Sequence, residues 1–107
     1  MSRTSAAPIF AALGDETRLR LVTRLCHEGP LSIVRLSEGA EMSRQAVTKH
    51  LRALADVGLI HDERRGRERI WALEPARLRL AGESLERISS QWDAAVSRLQ
   101  AHLEQSP

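Results

Sequence analysis

Five polar side chains, Arg44, Gln45, Thr48, Lys49 and Arg52, stand at offsets of 0, 1, 4, 5 and 8, which places them together on one face of a helix. These are residue types that read base edges in a major groove. Arg donates two hydrogen bonds to guanine, Gln pairs with the donor and acceptor of adenine, and Thr meets a thymine methyl or a phosphate. Ser43 caps the same helix, and the exposed backbone N–H groups beside it suit a phosphate oxygen. His50 lies between this face and the apolar stripe of Val47, Leu51 and Leu54, open equally to a phosphate contact and to helix packing. Further on stands Arg64-Arg65-Gly66-Arg67-Glu68-Arg69. Arginine is drawn into the negative potential of a narrow minor groove. Asp62, Glu63 and Glu68 weaken that field, and the plainer alternative is a solvated, ion-paired turn.

The charge distribution agrees with the chemistry of these side chains. Across 107 residues the net charge is only +2, yet residues 43 to 69 hold seven basic against four acidic side chains and the flanking segments are neutral or slightly acidic. A localised basic segment is the electrostatic footprint of a nucleic-acid contact. The length allows one domain, expected over residues 8–107 after a flexible N-terminus at 1–7. Its small size favours packing on a second copy. No apolar run approaches the roughly 20 residues needed to cross a membrane, and no secretory signal precedes the domain, so no membrane partner and a cytoplasmic location are expected. One cysteine, Cys26, excludes an intrachain disulfide.

The elements that must position these side chains are mostly helical. A short apolar helix covers Ile9 to Leu13 and ends at Gly14. Asp15 caps a second helix over 15–28, with Leu21, Val22, Leu25 and Cys26 as its buried stripe and Gly29-Pro30 as its stop. Ser32 caps a short third helix, a glycine-containing turn follows, and the helix bearing the polar face runs over 43–57 to Gly58. Short helix, turn, longer helix is a helix-turn-helix. Leu59 to Arg64 and Arg69 to Leu73 form a hairpin with Trp71 and Leu73 inward. Beyond Pro75, Leu78, Ala81, Leu85, Ile88, Trp92, Ala95 and Leu99 step by three and four as a heptad-like seam. Gly82 predicts a break, with Pro75 to Leu80 a separate turn and the long helix starting near Glu83. The fold class is therefore mainly α with a small β-hairpin, five helices in all.

Three strings, ALGDETRLRLVTRL, LSIVRLSEGAEMSRQAVTKHLRALADVGLI and RRGRERIWAL, resemble the ArsR/SmtB-type winged helix-turn-helix repressors of bacteria over about residues 9–103. The resemblance implies a homodimer built from the first and last helices, here Ile9, Phe10 and Leu13 with Leu85, Ile88, Trp92, Ala95 and Leu99. It also implies two recognition helices in successive major grooves of an inverted repeat in double-stranded DNA. The wing, 60–73, would lie alongside with Arg64, Arg65, Arg67 and Arg69. Ser43, Arg44, Gln45, Thr48, Lys49, His50 and Arg52 would face the groove.

The metal sites of that family do not carry over. A Cys-x-Cys pair is missing, since Ser32, Ile33 and Val34 follow Leu31. At the last-helix site, setting His102 as the second histidine leaves Ser89, Gln91 and Gln105 at the other ligand positions, too few ligands for a transition metal. No metal or cofactor is expected. Cys26 reads as an inert core thiol, and no nucleophile-base pair or phosphate loop marks an enzyme. Two alternatives stay open beside the dimeric repressor. One is a winged-helix module that binds protein; the other adds an unidentified small-molecule or redox effector.

Overall fold

The computed structural model describes residues 5–105. Its elements are α1 (Ala7–Leu13), α2 (Glu16–Glu28), β1 (Leu31–Ser32), α3 (Ile33–Ser37), α4 (Arg44–Asp56), β2 (Ile60–Arg65), β3 (Glu68–Leu73) and α5 (Pro75–Glu104). Three of the helices start where a side-chain oxygen satisfies an orphan backbone donor. Asp15 accepts from the Arg18 N–H at 3.0 Å, Ser32 from Arg35 at 3.2 Å and Ser43 from Ala46 at 3.1 Å, as N-caps do. At the far end of α4 the chain reverses through Gly58, whose φ of 78° a side chain would resist. A Cβ there would also lie 3.0 Å from Arg77 Nε at the start of α5.

The core is a single cluster. Val47, Leu51 and Leu54 of α4 pack with Leu21, Val22 and Leu25 of α2, with Ile9 of α1, and with Leu59, Ile60 and Trp71 from the base of the hairpin. This cluster holds α4 by one stripe and leaves its opposite side to solvent. The sheet has three strands in the order β1-β3-β2, all antiparallel. Ile60 pairs with Leu73 at the base, and Arg65 pairs with Glu68 at the tip. Trp71 is buried and Leu73 half-buried, on the same strand face as Ile60, as the alternation required.

Several expectations need correction. The hairpin is joined by a third strand, Leu31–Ser32, which pairs with Trp71 and Ile70. Two residues are too short to leave a period-two pattern. Helix α5 runs unbroken for 30 residues through Gly82. One glycine costs about 1 kcal/mol against alanine, and its neighbours Leu80, Ala81, Glu83, Leu85, Glu86 and Arg87 are good helix formers that outweigh it. Of the segment 1–7 expected to be flexible, residues 1–4 lie outside the described residues, while Ala6 is buried and Ala7 opens α1. Ile9, assigned to a dimer face, is 0% exposed and belongs to the protomer's own core.

Cys26 is exposed, not buried. At 100° per residue it stands about 90° from the centre of the arc formed by Leu21, Val22 and Leu25. That puts it on the same side of α2 as Leu19, two turns earlier, which is also exposed.

Candidate nucleic-acid interface

Helix α4 presents Arg44, Gln45, Lys49 and Arg52 to solvent and Thr48 half-buried. Helical geometry sets the five within an arc of about 140°, away from the core stripe. Thr48 Oγ1 donates to the Arg44 carbonyl at 2.9 Å, which fixes its side chain against the preceding turn of the helix. Ser43 spends its hydroxyl on the cap, leaving the remaining first-turn N–H groups as the positive end of the helix. Among the described residues, Arg44, Lys49 and Arg52 have no acidic side chain within ion-pair distance, whereas Arg20, Arg24, Arg35, Arg65 and Arg69 each do. Three cations on one exposed arc, none of them neutralised by a neighbouring acid among the described residues, make this face locally positive.

The hairpin projects beside α4 and divides its arginines into two kinds. Arg64 and Arg69 are opposite each other in register, an arrangement in which like charges repel. Asp62 relieves it by pairing with Arg69 at 3.0 Å. On the other strand face Arg65 lies 3.6 Å from Glu63. Arg64 and Arg67 have no such acid among the described residues. Arg67 occupies the turn with Gly66, whose φ is 63°; glycine first is the pattern of a tight II′ hairpin turn. The sequence treats the four wing arginines alike, but only two keep an unpaired guanidinium among the described residues.

At the base of the wing, His61 sits between two carboxylates. Its Nε2 is 2.9 Å from Glu63 Oε1, and its Nδ1 touches Glu74 at the entry to α5. The hydrogen bond to Glu63, aided by Glu74, raises the His61 pKa above the usual histidine value. The same bond lowers that of Glu63.

His50 does not join the groove-facing set. Around the α4 axis it stands about 170° from the centre of the polar arc. Its Nδ1 is 3.3 Å from Arg18 Nη1 and 3.8 Å from Asp15 Oδ2, both at the start of α2. Of the two roles left open by the sequence, packing is the one its position supports. Helical angles alone, applied to His50, would have separated it from Lys49 and Arg52. Missed altogether was Arg18, which reads from sequence only as a polar residue off the apolar stripe.

Along α5 the seam residues Leu85, Ile88, Trp92, Ala95 and Leu99 are all exposed, Trp92 to 70%. Val96 and Leu103 extend the same stripe. In α1, Phe10 and Leu13 are half-buried against the core. The far part of α5 carries the molecule to a length of 71 Å. Contiguous apolar surface of this extent marks an interaction site. Among the described residues no three His, Cys, Asp or Glu side chains converge as metal ligands, and no helix is long and apolar enough to cross a membrane.

A helix-turn-helix domain family matches residues 13–63, from the end of α1 into β2. The chain is 36% identical over 88 residues to the helix-turn-helix-type transcriptional regulator Rv2034 of Mycobacterium tuberculosis, covering 82% of this chain and 78% of that protein. It is 28% identical over 93 residues to the arsenical resistance operon repressor of Escherichia coli, covering 87% and 77%. In structure it is similar to an ArsR-like transcriptional regulator from Rhodococcus sp. RHA1, with a TM-score of 0.75 and 36% identity over 94% of both chains. The chain belongs to the ArsR family of winged helix-turn-helix transcriptional regulators, a family of DNA-binding proteins and not of enzymes.

Proposed function

We propose that this chain is a homodimeric repressor that binds an inverted-repeat operator in double-stranded DNA. The N-terminal half of α4 enters the major groove, with Arg44 and Gln45 as the base-reading pair. Arg64 and Arg67 run along the flanking backbone and minor groove. The observation that carries this reading is the exposed cationic face of α4, where Arg44, Lys49 and Arg52 share one arc with Gln45 and have no acidic side chain within ion-pair distance among the described residues.

Dimer formation through α5 is supported by the exposed seam from Leu85 to Leu99, with Phe10 and Leu13 of α1 at its margin. Repression is in keeping with the Escherichia coli relative, itself an operon repressor, and a DNA-binding role is in keeping with a cytoplasmic location. An effector that releases the DNA would be held otherwise than by a thiolate pair, because Ser32, Ile33 and Val34 follow Leu31.

Selection of bound duplexes from a random pool tests the proposal. Recovery of an inverted repeat with half-sites about one helical turn apart supports it. A protein that enriches no sequence, or that binds only a protein partner, contradicts it.

A further inference from the structure

Arg18 touches three helices at once. Its backbone N–H donates to Asp15 Oδ2 at 3.0 Å, closing the cap of α2. Its Nε donates to the Ala12 carbonyl at 2.6 Å, in the last turn of α1, where carbonyls outrun the helix's own donors. Its Nη1 reaches His50 Nδ1 at 3.3 Å on the back of α4. The guanidinium thus joins α1 to the side of the recognition helix that faces away from the polar arc. Bonds from a planar, permanently charged group fix direction as well as distance.

We propose that Arg18 is a positioning residue that sets the tilt of α4 relative to the α1 and α5 surface, and through it the operator half-site spacing the dimer accepts. The inference rests on the dimeric DNA-binding reading above. A helix of 13 residues is about 20 Å long, so a tilt of about 10° moves one end by roughly 3 Å, close to one base-pair step. With two such helices facing one inverted repeat, loss of the Arg18 bridge broadens the range of spacings that bind. His50 contributes by accepting the guanidinium bond through Nδ1, since a guanidinium can only donate.

The experiment uses the full-length protein and the operator selected by the wild type, together with versions whose half-sites are one base pair closer and one farther apart. Arg18→Gln and His50→Leu are expected to bind the selected spacing about tenfold more weakly, the usual effect of losing a hydrogen bond to a charged group. Both should also discriminate less among the three spacings. His50→Gln keeps an acceptor and should recover most of the discrimination. The salt dependence should match the wild type, because Arg18 contacts no phosphate in this account.

Unchanged spacing discrimination in a folded Arg18→Gln or His50→Leu protein overturns the proposal while leaving DNA binding intact. A salt slope lowered by about one per protomer also overturns it, since that makes Arg18 a phosphate contact. If Arg18→Gln unfolds, the comparison of His50→Leu with His50→Gln decides: equal discrimination in the two rejects the proposal. A wild type indifferent to spacing rejects both this inference and the inverted-repeat reading.

Discussion

Arg44 and Gln45 differ from the wing arginines in what their loss should change. If Arg44 and Gln45 read bases as proposed, Arg44→Ala or Gln45→Ala should each cost about 1 to 3 kcal/mol of discrimination at one base position and flatten specificity only there. A mutant-by-base-pair matrix of affinities checks this. Arg67→Ala should weaken operator and random duplex alike and lower the salt slope by about one for each phosphate that its guanidinium neutralises. Arg69→Ala should lower it less, because Asp62 already occupies that guanidinium at 3.0 Å. A larger slope change for Arg69 than for Arg67 would reverse the assignment.

His61 carries the pH dependence at the same scale. Its raised pKa, caused first by the Glu63 hydrogen bond, means that charged His61 stabilises the folded protein. That contribution is complete below the ordinary histidine value of about 6.5 and fades as pH rises through the folded value. Melting temperatures of wild type and His61→Gln should therefore differ most near pH 6 and converge as pH rises through the raised His61 value. A gap that widens with pH would contradict the bridge.

Among the elements, α4 and α5 can be tested separately. Removing the α4 cap with Ser43→Ala should cost about 1 kcal/mol of stability, read by thermal or denaturant unfolding. Gly82→Ala should add up to about 1 kcal/mol, since Gly82 is helical and a Cβ there meets nothing within 4 Å. A lower melting temperature for Gly82→Ala would place another chain against that position. Helices α1 to α4 and the hairpin were legible in the sequence because caps, glycine stops and apolar spacing agree locally, as at Asp15, Ser43 and Gly58; the start of α5 was not, because the helix formers around Gly82 outweigh the break that glycine suggests. Strand β1 was not, because two residues carry no periodicity and their pairing with Ile70 and Trp71 is decided by tertiary contact. The polar face of α4 was legible for the same reason as the helix: five residues on one arc. The division of wing arginines into paired and unpaired was not, since it depends on strand register placing Asp62 diagonally from Arg69. Cys26 departs from its expected burial because a residue at the margin of an apolar stripe is covered only if a neighbouring element extends that far, and it stands exposed.

At the scale of the whole molecule, a core sufficient for one protomer coexists with a stripe that it does not cover. Ile9 and Ala81 tie α1 and α5 to the core, while Leu85, Ile88, Trp92 and Leu99 continue outward unburied. Leu85→Glu or Ile88→Glu should therefore yield a folded monomer by sedimentation, and a dimer that persists in both would move the interface elsewhere. The monomer should also lose operator affinity, since in the proposed dimer each protomer reads only a half-site.

The central claim is sequence-specific binding by paired recognition helices. The most direct measurement is the ratio of affinities for the selected operator and a random duplex at one physiological salt concentration, for wild type and Leu85→Glu. A wild-type ratio of at least about a thousandfold is expected, collapsing in the monomeric variant. A wild-type ratio near one, or a ratio unchanged by Leu85→Glu in a proven monomer, would contradict the account.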